Sequence, residues 1–143
     1  MFARRPLLAL TPFWIFIFLF KAAGSLHYTL FPILSEHVFP VWVTGLLVGG
    51  AAALQMIFDV PAGYLLDRWG YIRTLKWSTL FFVLAGGCLL FGISKITLLG
   101  SLFLAMVGWL FFGPGMNAYL LSQAESNLAG RFMGARDTIA SAG

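Results

Sequence analysis

Two charged side chains stand inside long apolar stretches of the sequence, Lys21 in the first stretch and Asp59 in the second. A charge at the centre of a helix that crosses a bilayer costs about 2.5–3.5 kcal/mol. An ammonium group at position 21 can bind an anionic group of a ligand or pair with an acid, and a carboxylate at position 59 can relay protons. Alternatively, Lys21 bonds a carbonyl group or extends to the membrane surface, and Asp59 forms a structural ion pair.

Small and polar residues share a helical face with each of these charges. The face of Lys21 also carries Gly24, Ser25, Tyr28 and Thr29. The face of Asp59 also carries Gly45, Gly49, Ala52, Gln55 and Gly63. Such faces suit a water-filled cavity, although small residues also line contacts between helices. The resulting candidates for a substrate or proton cavity are Lys21, Ser25, Tyr28, Gln55, Asp59 and Asn117.

The composition places these residues in a membrane protein. Sixty per cent of the 143 residues are apolar and ten per cent are charged, whereas about a quarter are charged in soluble domains. A lipid-facing exterior needs no charged cover. The net charge of +4 falls in the gaps between apolar runs, so it does not indicate a nucleic-acid partner.

Four apolar segments are long enough to cross a bilayer as helices. They lack the period-two alternation of barrel strands, so we predict an all-α integral membrane protein. The predicted spans cover about residues 8–34, 41–66, 75–93 and 96–121. Residues 122–143 are expected to form a cytoplasmic loop and the start of a fifth helix. Because the connections are short, neighbouring spans must be antiparallel.

The distribution of lysine and arginine predicts the orientation. One side of the predicted membrane collects Arg4, Arg5, Arg68, Arg73, Lys76, Arg131 and Arg136. The other side has Lys95. The N-terminus and the connection after the second span are therefore expected in the cytoplasm, with the protein in the plasma membrane, the inner membrane of a bacterium. Trp109 lies deeper in its segment than an interfacial tryptophan does.

The end of the second span carries a distinctive string that runs from Gly63 to Arg73, Gly-Tyr-Leu-Leu-Asp-Arg-Trp-Gly-Tyr-Ile-Arg. The first glycine allows close approach of another backbone. Asp67 lies on the same face and can meet the positive end of a helix. We expect Arg68 to begin the loop and Gly70 to permit a tight reversal.

This string resembles the loop motif between helices two and three of the major facilitator superfamily, Gly-x-x-x-Asp-Arg-x-Gly followed by basic residues. The matching positions are Gly63, Asp67, Arg68, Gly70 and Arg73. In the family this motif locks the two halves of the transporter together and releases them as access alternates. The resemblance therefore implies a conformational switch at these residues. Tyr71 and Ile72 replace two usual basic residues, so the family's charge relay through position 71 is not implied.

A second, less specific resemblance follows the fourth span. Ala118-Tyr119-Leu120 leads to Gly130-Arg131-Phe132-Met133-Gly134 over a spacing that is typical of the family's loop between helices four and five. Ser122 stands where an acid is common, and Ala129 replaces the first arginine. The specific part of the resemblance is therefore the motif at residues 63–73.

The family resemblance implies a secondary active transporter that moves a small solute by alternating access, without a cofactor. Family members have twelve spans in two six-helix halves. We therefore expect this chain to be a fragment whose partners are the lipid bilayer, a small-molecule substrate, protons as a candidate coupling ion, and the missing C-terminal half. The sequence does not indicate the substrate, the coupling ion or the direction of transport.

Three other classes of protein remain as alternatives. A complete four-helix exporter that works as a dimer would carry a carboxylate in its first span, where this chain has Lys21. A non-transporting membrane scaffold would have no polar face towards a cavity. An enzyme is not predicted, because the sequence has no His/Cys cluster with metal spacing, no phosphate-binding glycine loop and no Ser/His/Asp set on one face.

Overall fold

The computed structural model describes residues 11–123, which form four helices. Helix α1 is Thr11–Ser35, α2 is Val41–Trp69, α3 is Tyr71–Leu90 and α4 is Lys95–Gln123. Each helix lies on one of the apolar segments of the sequence. The predicted start of a fifth helix and the string around Arg131 lie outside the described residues.

Local sequence explains where α1 ends and α4 begins. The Ser35 hydroxyl donates to the carbonyl of Pro32 at 2.9 Å and shares a buried hydrogen bond of 2.9 Å with the Thr44 hydroxyl of α2. At the start of α4, the Ser94 hydroxyl accepts from the Thr97 amide at 3.2 Å, and the Thr97 hydroxyl accepts from the Ser94 amide at 2.9 Å. These reciprocal bonds satisfy amides that the first turn of a helix leaves unpaired.

The reversal between α2 and α3 is tighter than the predicted connection over residues 67–74. Helix α2 continues through Asp67 and Arg68, and Gly70 alone separates it from α3. Gly70 has φ 79° and ψ 154°, a conformation that is essentially restricted to glycine. The prediction that Arg68 begins the loop is therefore wrong, because no residue before Gly70 stops the helix.

Helix α4 is the centre of the packing. It packs most extensively along α3 and also contacts α2 and α1. Helices α3 and α4 are antiparallel, since Gly115 lies against Leu75 and Gly100 lies against Cys88. Between these points the Ser78 hydroxyl donates to the carbonyl of Gly108 at 2.7 Å. A Cβ on Gly108 would lie 3.2 Å from the carbonyl oxygen of Ser78, so the glycine permits this close approach of two backbones.

Two apolar clusters join α1 to α4. Near the start of α1, the rings of Phe20 and Phe112 stack with centroids 3.9 Å apart and planes inclined by 3°. Near its end, Phe31 packs with Leu98 and Leu102. The two clusters hold α1 along the length of α4, with a small polar region between them.

The exterior of the four helices is apolar, as a lipid-facing surface requires. Val60 is 81% exposed and Leu90 is 89% exposed. Three described segments, Pro12–Ser35, Val41–Trp69 and Lys95–Ser122, are long and apolar enough to cross a membrane. Helix α3 has 20 residues with Arg73 and Lys76 near its start, and does not reach the same apolarity over its length. The fold is that of a multi-pass helical membrane protein, and α3 as a fourth span stays a prediction.

Candidate functional site

The predicted cavity residue Lys21 lies at the interface between α1 and α4. Its Nζ is 4.6 Å from the centroid of the Trp109 indole, which is within cation–π distance. Gly24 lies one turn further along α1, where a Cβ would overlap the same indole. The ring of Tyr28 lies 6.3 Å from it. We call these four residues the Lys21–Trp109 site.

Three phenylalanines fix the indole in this place. The edges of Phe20, Phe82 and Phe112 approach Trp109 at centroid distances of 5.5, 6.1 and 5.6 Å, with interplanar angles of 82°, 89° and 85°. Edge-to-face contacts of this kind are favourable for aromatic rings. The face of Trp109 therefore has little freedom to move away from Gly24 or Lys21.

Buried polar atoms surround the same region. Among residues 11–123, the Trp109 Nε1, the His27 Nε2 and the Ser101 hydroxyl are buried without a hydrogen-bond partner. The His27 ring lies 6.0 Å from Phe82, which also borders Trp109. An indole N–H can donate, and a histidine ring nitrogen can donate or accept. The interface of α1 with α4 thus holds polar groups that water or a solute could engage.

The predicted cavity residues of α1 differ in how deeply they are buried. Ser25 is exposed and Tyr28 is 41% exposed, while Lys21 is half-buried. Asn117 is half-buried on α4, two turns beyond Trp109 towards the helix end. The structure therefore brings Lys21 and Tyr28 together at Trp109, with Ser25 beside them on α1.

The predicted cavity residues of α2 lie apart from the Lys21–Trp109 site. Asp59 is exposed and Gln55 is half-buried. Helix α2 faces α4 through Leu47 and Ala51, and at 100° per residue the direction of Gln55 and Asp59 is rotated by about 80° from that face. The exposed Asp59 and the packed ring of Trp109 therefore lie in different surroundings.

The residues of the predicted switch lie on both sides of the helix reversal. Asp67 and Arg68 are exposed in the last turn of α2, and Arg73 is exposed in the first turn of α3. A Cβ on Gly63 would meet nothing within 4 Å. The close backbone approach expected at Gly63 is thus not made by any described part of the chain.

Aromatic rings attach this reversal to α4. Trp69, just before Gly70, lies 6.3 Å from Phe111. Tyr71, just after it, lies 5.6 Å from Tyr119. Tyr71 stands where the family has a basic residue, and in this chain it packs against a ring.

Sequence reasoning did not identify Trp109 as part of the site. The available signal was its depth, since a tryptophan in the middle of a span is away from the interface that tryptophans favour. The spacing of residues along one helix does not indicate which residues of a neighbouring helix they contact. The pairing of Lys21 with Trp109 therefore emerges only from the packing of α1 on α4.

The whole chain matches one known protein family. The sequence profile of the Major Facilitator Superfamily matches residues 1–143, which is the entire chain. No curated protein and no solved structure gives a significant match. The profile match agrees with the apolar helices and with the motif from Gly63 to Arg73. This chain belongs to the Major Facilitator Superfamily, a family of membrane transporters.

Proposed function

We propose that the chain forms the N-terminal part of a secondary active transporter that moves a small solute by alternating access, with the Lys21–Trp109 site on the wall of the solute path. The observation that carries this proposal is the cation–π contact of Lys21. Lys21 lies at the middle of the predicted first span, residues 8–34, and such a span crosses a hydrocarbon core about 30 Å thick. Its ammonium group is thus near mid-membrane.

The energetics favour a solute-facing position for Lys21. A cation–π contact contributes about 0.5–2 kcal/mol, and a lysine at the centre of a span costs about 2.5–3.5 kcal/mol. The part of this cost that the cation–π contact does not offset must be offset by further polar groups, water or solute. A ring face attracts a cation without cancelling its charge, so the cation–π contact is compatible with an anionic ligand such as a carboxylate or phosphate.

Substitution of Lys21 tests this role in proteoliposomes. The assay measures uptake of organic anions, sugars and amino acids by the whole transporter under an imposed pH gradient. For an anionic solute, Lys21→Met should raise the KM about 10- to 100-fold, because a hydrogen bond to a charged group is worth about 1.5–3 kcal/mol. Lys21→Arg should retain most of the affinity, and Lys95→Met, in an exposed position, is the control. Equal KM values for Lys21→Met and Lys95→Met with every transported solute would refute the role.

The second wall of the solute path is assigned to a C-terminal half. The exposed Asp59 of α2, with the half-buried Gln55 beside it, and the exposed Ser25 of α1 are polar groups that lipid does not solvate well. Reconstitution of residues 1–143 alone should give no solute uptake above empty vesicles, whereas the two-half transporter should be active. Robust uptake by residues 1–143 alone would contradict this proposal and favour a small dimeric exporter.

All four helices are proposed to span the plasma membrane, with the N-terminus in the cytoplasm. Ile72, at the start of α3, is 56% exposed, and Phe91, just after its end, is 88% exposed. In a Cys88→Ser background, Ile72→Cys should react with an impermeant maleimide only in inside-out vesicles, and Phe91→Cys only in intact cells. Labelling of both positions from the same side would show that α3 does not cross the membrane.

A further inference from the structure

The Lys21–Trp109 site lies on the side of α1 away from α3. Phe16 of α1 and Phe82 of α3 line one cavity between these two helices. At 100° per residue, Lys21 is rotated by about 140° around α1 from Phe16, and Tyr28 by about 120° in the same sense. The site therefore does not open into the space between α1 and α3, and a solute reaches it from the opposite side of α1.

The three α1 residues of the site place a charge and an aromatic ring on one line. Lys21, Gly24 and Tyr28 are spaced by three and four residues, so they lie on one stripe of the helix. Between the two side chains, Gly24 leaves the α1 backbone against the Trp109 indole. A solute along this stripe thus meets an ammonium group at one end and a phenol ring at the other, with backbone and indole between them.

Tyr28 has surface available for a solute. It is 41% exposed, and its ring is inclined by 47° to the Trp109 indole at a centroid distance of 6.3 Å. The edges of three phenylalanines hold that indole in place, so it supports the tyrosine from one side. Aromatic rings attract each other at centroid distances of about 4.5–7 Å. The exposed part of Tyr28 can therefore receive an aromatic ring of a solute.

The charge of the site favours a carboxylate over a phosphate. Lys21 is the only charged member of the Lys21–Trp109 site, and its ammonium group has three hydrogen-bond donors. One positive charge balances one carboxylate. A phosphate monoester carries a charge of about −1.5 to −2 at neutral pH, so part of its charge would stay unbalanced inside the membrane, where such a charge is costly.

The distance between the two ends limits the length of the solute. The Lys21 Nζ lies 4.6 Å from the Trp109 ring centroid, and the Tyr28 ring lies 6.3 Å from the indole. The sum of these distances, about 11 Å, is the largest separation of the two groups. A charge-assisted hydrogen bond of about 2.8 Å and a ring contact of at least about 4.5 Å leave at most about 4 Å between the carboxylate oxygen and the ring centre of the solute. A carboxyl group attached directly to an aromatic ring fits this limit.

We propose that the solute of the Lys21–Trp109 site is an aromatic monocarboxylate, with its carboxylate at Lys21 and its ring at Tyr28. This inference rests on the proposed function, because it names the class of solute for the same site. Tyr28 selects an aromatic ring, and Lys21 selects a negative charge. The two preferences are separable because they involve opposite ends of the solute.

Equilibrium dialysis of the whole transporter in detergent tests the preference for a ring. The probes are radiolabelled benzoate and cyclohexanecarboxylate, which carry the same carboxylate on a flat and on a puckered six-carbon ring. Benzoate should bind about 3- to 10-fold more tightly. It should also bind more tightly than 4-phenylbutyrate, in which three methylene groups separate the carboxylate from the ring. Absence of benzoate binding, equal affinity for benzoate and cyclohexanecarboxylate, or tighter binding of 4-phenylbutyrate would overturn the proposal.

Substitutions of two exposed tyrosines locate the ring contact. Tyr28→Leu should lower the affinity for benzoate about 3- to 10-fold and leave that for cyclohexanecarboxylate unchanged, whereas Tyr28→Phe keeps the ring and should keep the preference. Tyr64→Leu is the matched control, because Tyr64 is 67% exposed on α2, and it should change neither affinity. Circular dichroism verifies the helical content of each variant. Equal weakening of both probes by a helical Tyr28→Leu variant, or loss of the preference in Tyr28→Phe or Tyr64→Leu, would overturn the proposal.

Substitution of Lys21 separates this proposal from the proposed function. Lys21→Met should weaken the binding of benzoate and of cyclohexanecarboxylate by the same factor, because both probes carry the same carboxylate. Equal affinity for the two probes, together with a raised KM of Lys21→Met for another anion, would refute the aromatic solute and leave the proposed function standing. Equal KM values for Lys21→Met and Lys95→Met with every transported solute would refute both.

Discussion

Substitution of Gly24 by alanine tests whether α1 depends on the Trp109 indole. The added methyl group would overlap the six-membered part of the indole. Since Phe20, Phe82 and Phe112 border that ring on their edges, it cannot swing aside at low cost. Overpacking of this kind costs about 1–3 kcal/mol, and alanine recovers about 0.5–1 kcal/mol through its higher helix propensity. The net expected loss in the free energy of unfolding is about 0–2.5 kcal/mol, centred near 1 kcal/mol.

The assay is equilibrium unfolding in mixed detergent micelles, monitored by circular dichroism. Gly86→Ala is the matched control, because a Cβ at Gly86 would meet nothing within 4 Å. A Trp109→Phe background removes the larger ring, so Gly24→Ala should cost less than about 0.5 kcal/mol there. The two backgrounds should therefore differ by about 1 kcal/mol or more, a coupling typical of residues in contact. The same cost in both backgrounds would refute the contact between Gly24 and Trp109.

Three further substitutions test the helix contacts and connections by the same unfolding assay. Ser78→Ala removes the hydrogen bond to Gly108 in α4 and should cost about 0.6 kcal/mol, and at most about 1.7 kcal/mol. Thr79→Ala is the control and should cost less, because the Thr79 hydroxyl bonds to Leu75 of its own helix. Equal costs would contradict a stabilising bond between the helices. Gly70→Ala should cost about 1–3 kcal/mol because of the positive φ, and a neutral result would show that the reversal has another conformation. Thr97→Val should cost about 0.5–1.5 kcal/mol by removing the hydroxyl that accepts from the Ser94 amide at the start of α4, and an unchanged stability would show that this bond does not form.

The positions of the helices are predictable from the sequence because lipid imposes a simple rule. Every backbone group in a hydrocarbon core must be hydrogen-bonded within the protein, so a long apolar run is expected to form a helix. Charged residues beside such a run carry no comparable information. The string around Asp67 and Arg68 resembles a loop in composition, yet it is helical to Trp69, and the glycine at position 70 is the residue that ends the helix.

The candidate site is predictable only in part. Lys21 stands out because its charge interrupts an apolar run. The small residue Gly24 has two possible roles, in a cavity or in a contact, and the contact with Trp109 decides between them. The faces of Lys21 and Asp59 look alike in sequence, but one borders α4 and the other is exposed. Periodicity assigns residues to a face, whereas the packing of helices determines what that face meets.

The departure from the family motif at Tyr71 has a structural consequence. A basic residue at position 71 would carry a charge, whereas the Tyr71 ring packs against Tyr119. On the other side of Gly70, the Trp69 ring packs against Phe111. Both ends of the reversal are thus attached to α4 by contacts that salt does not screen, unlike exposed ion pairs. The start of α3 and the end of α2 should then move with α4 as one body. The charges of Asp67, Arg68 and Arg73 stay exposed on that body, so any switching contact they make must be with a partner beyond these four helices.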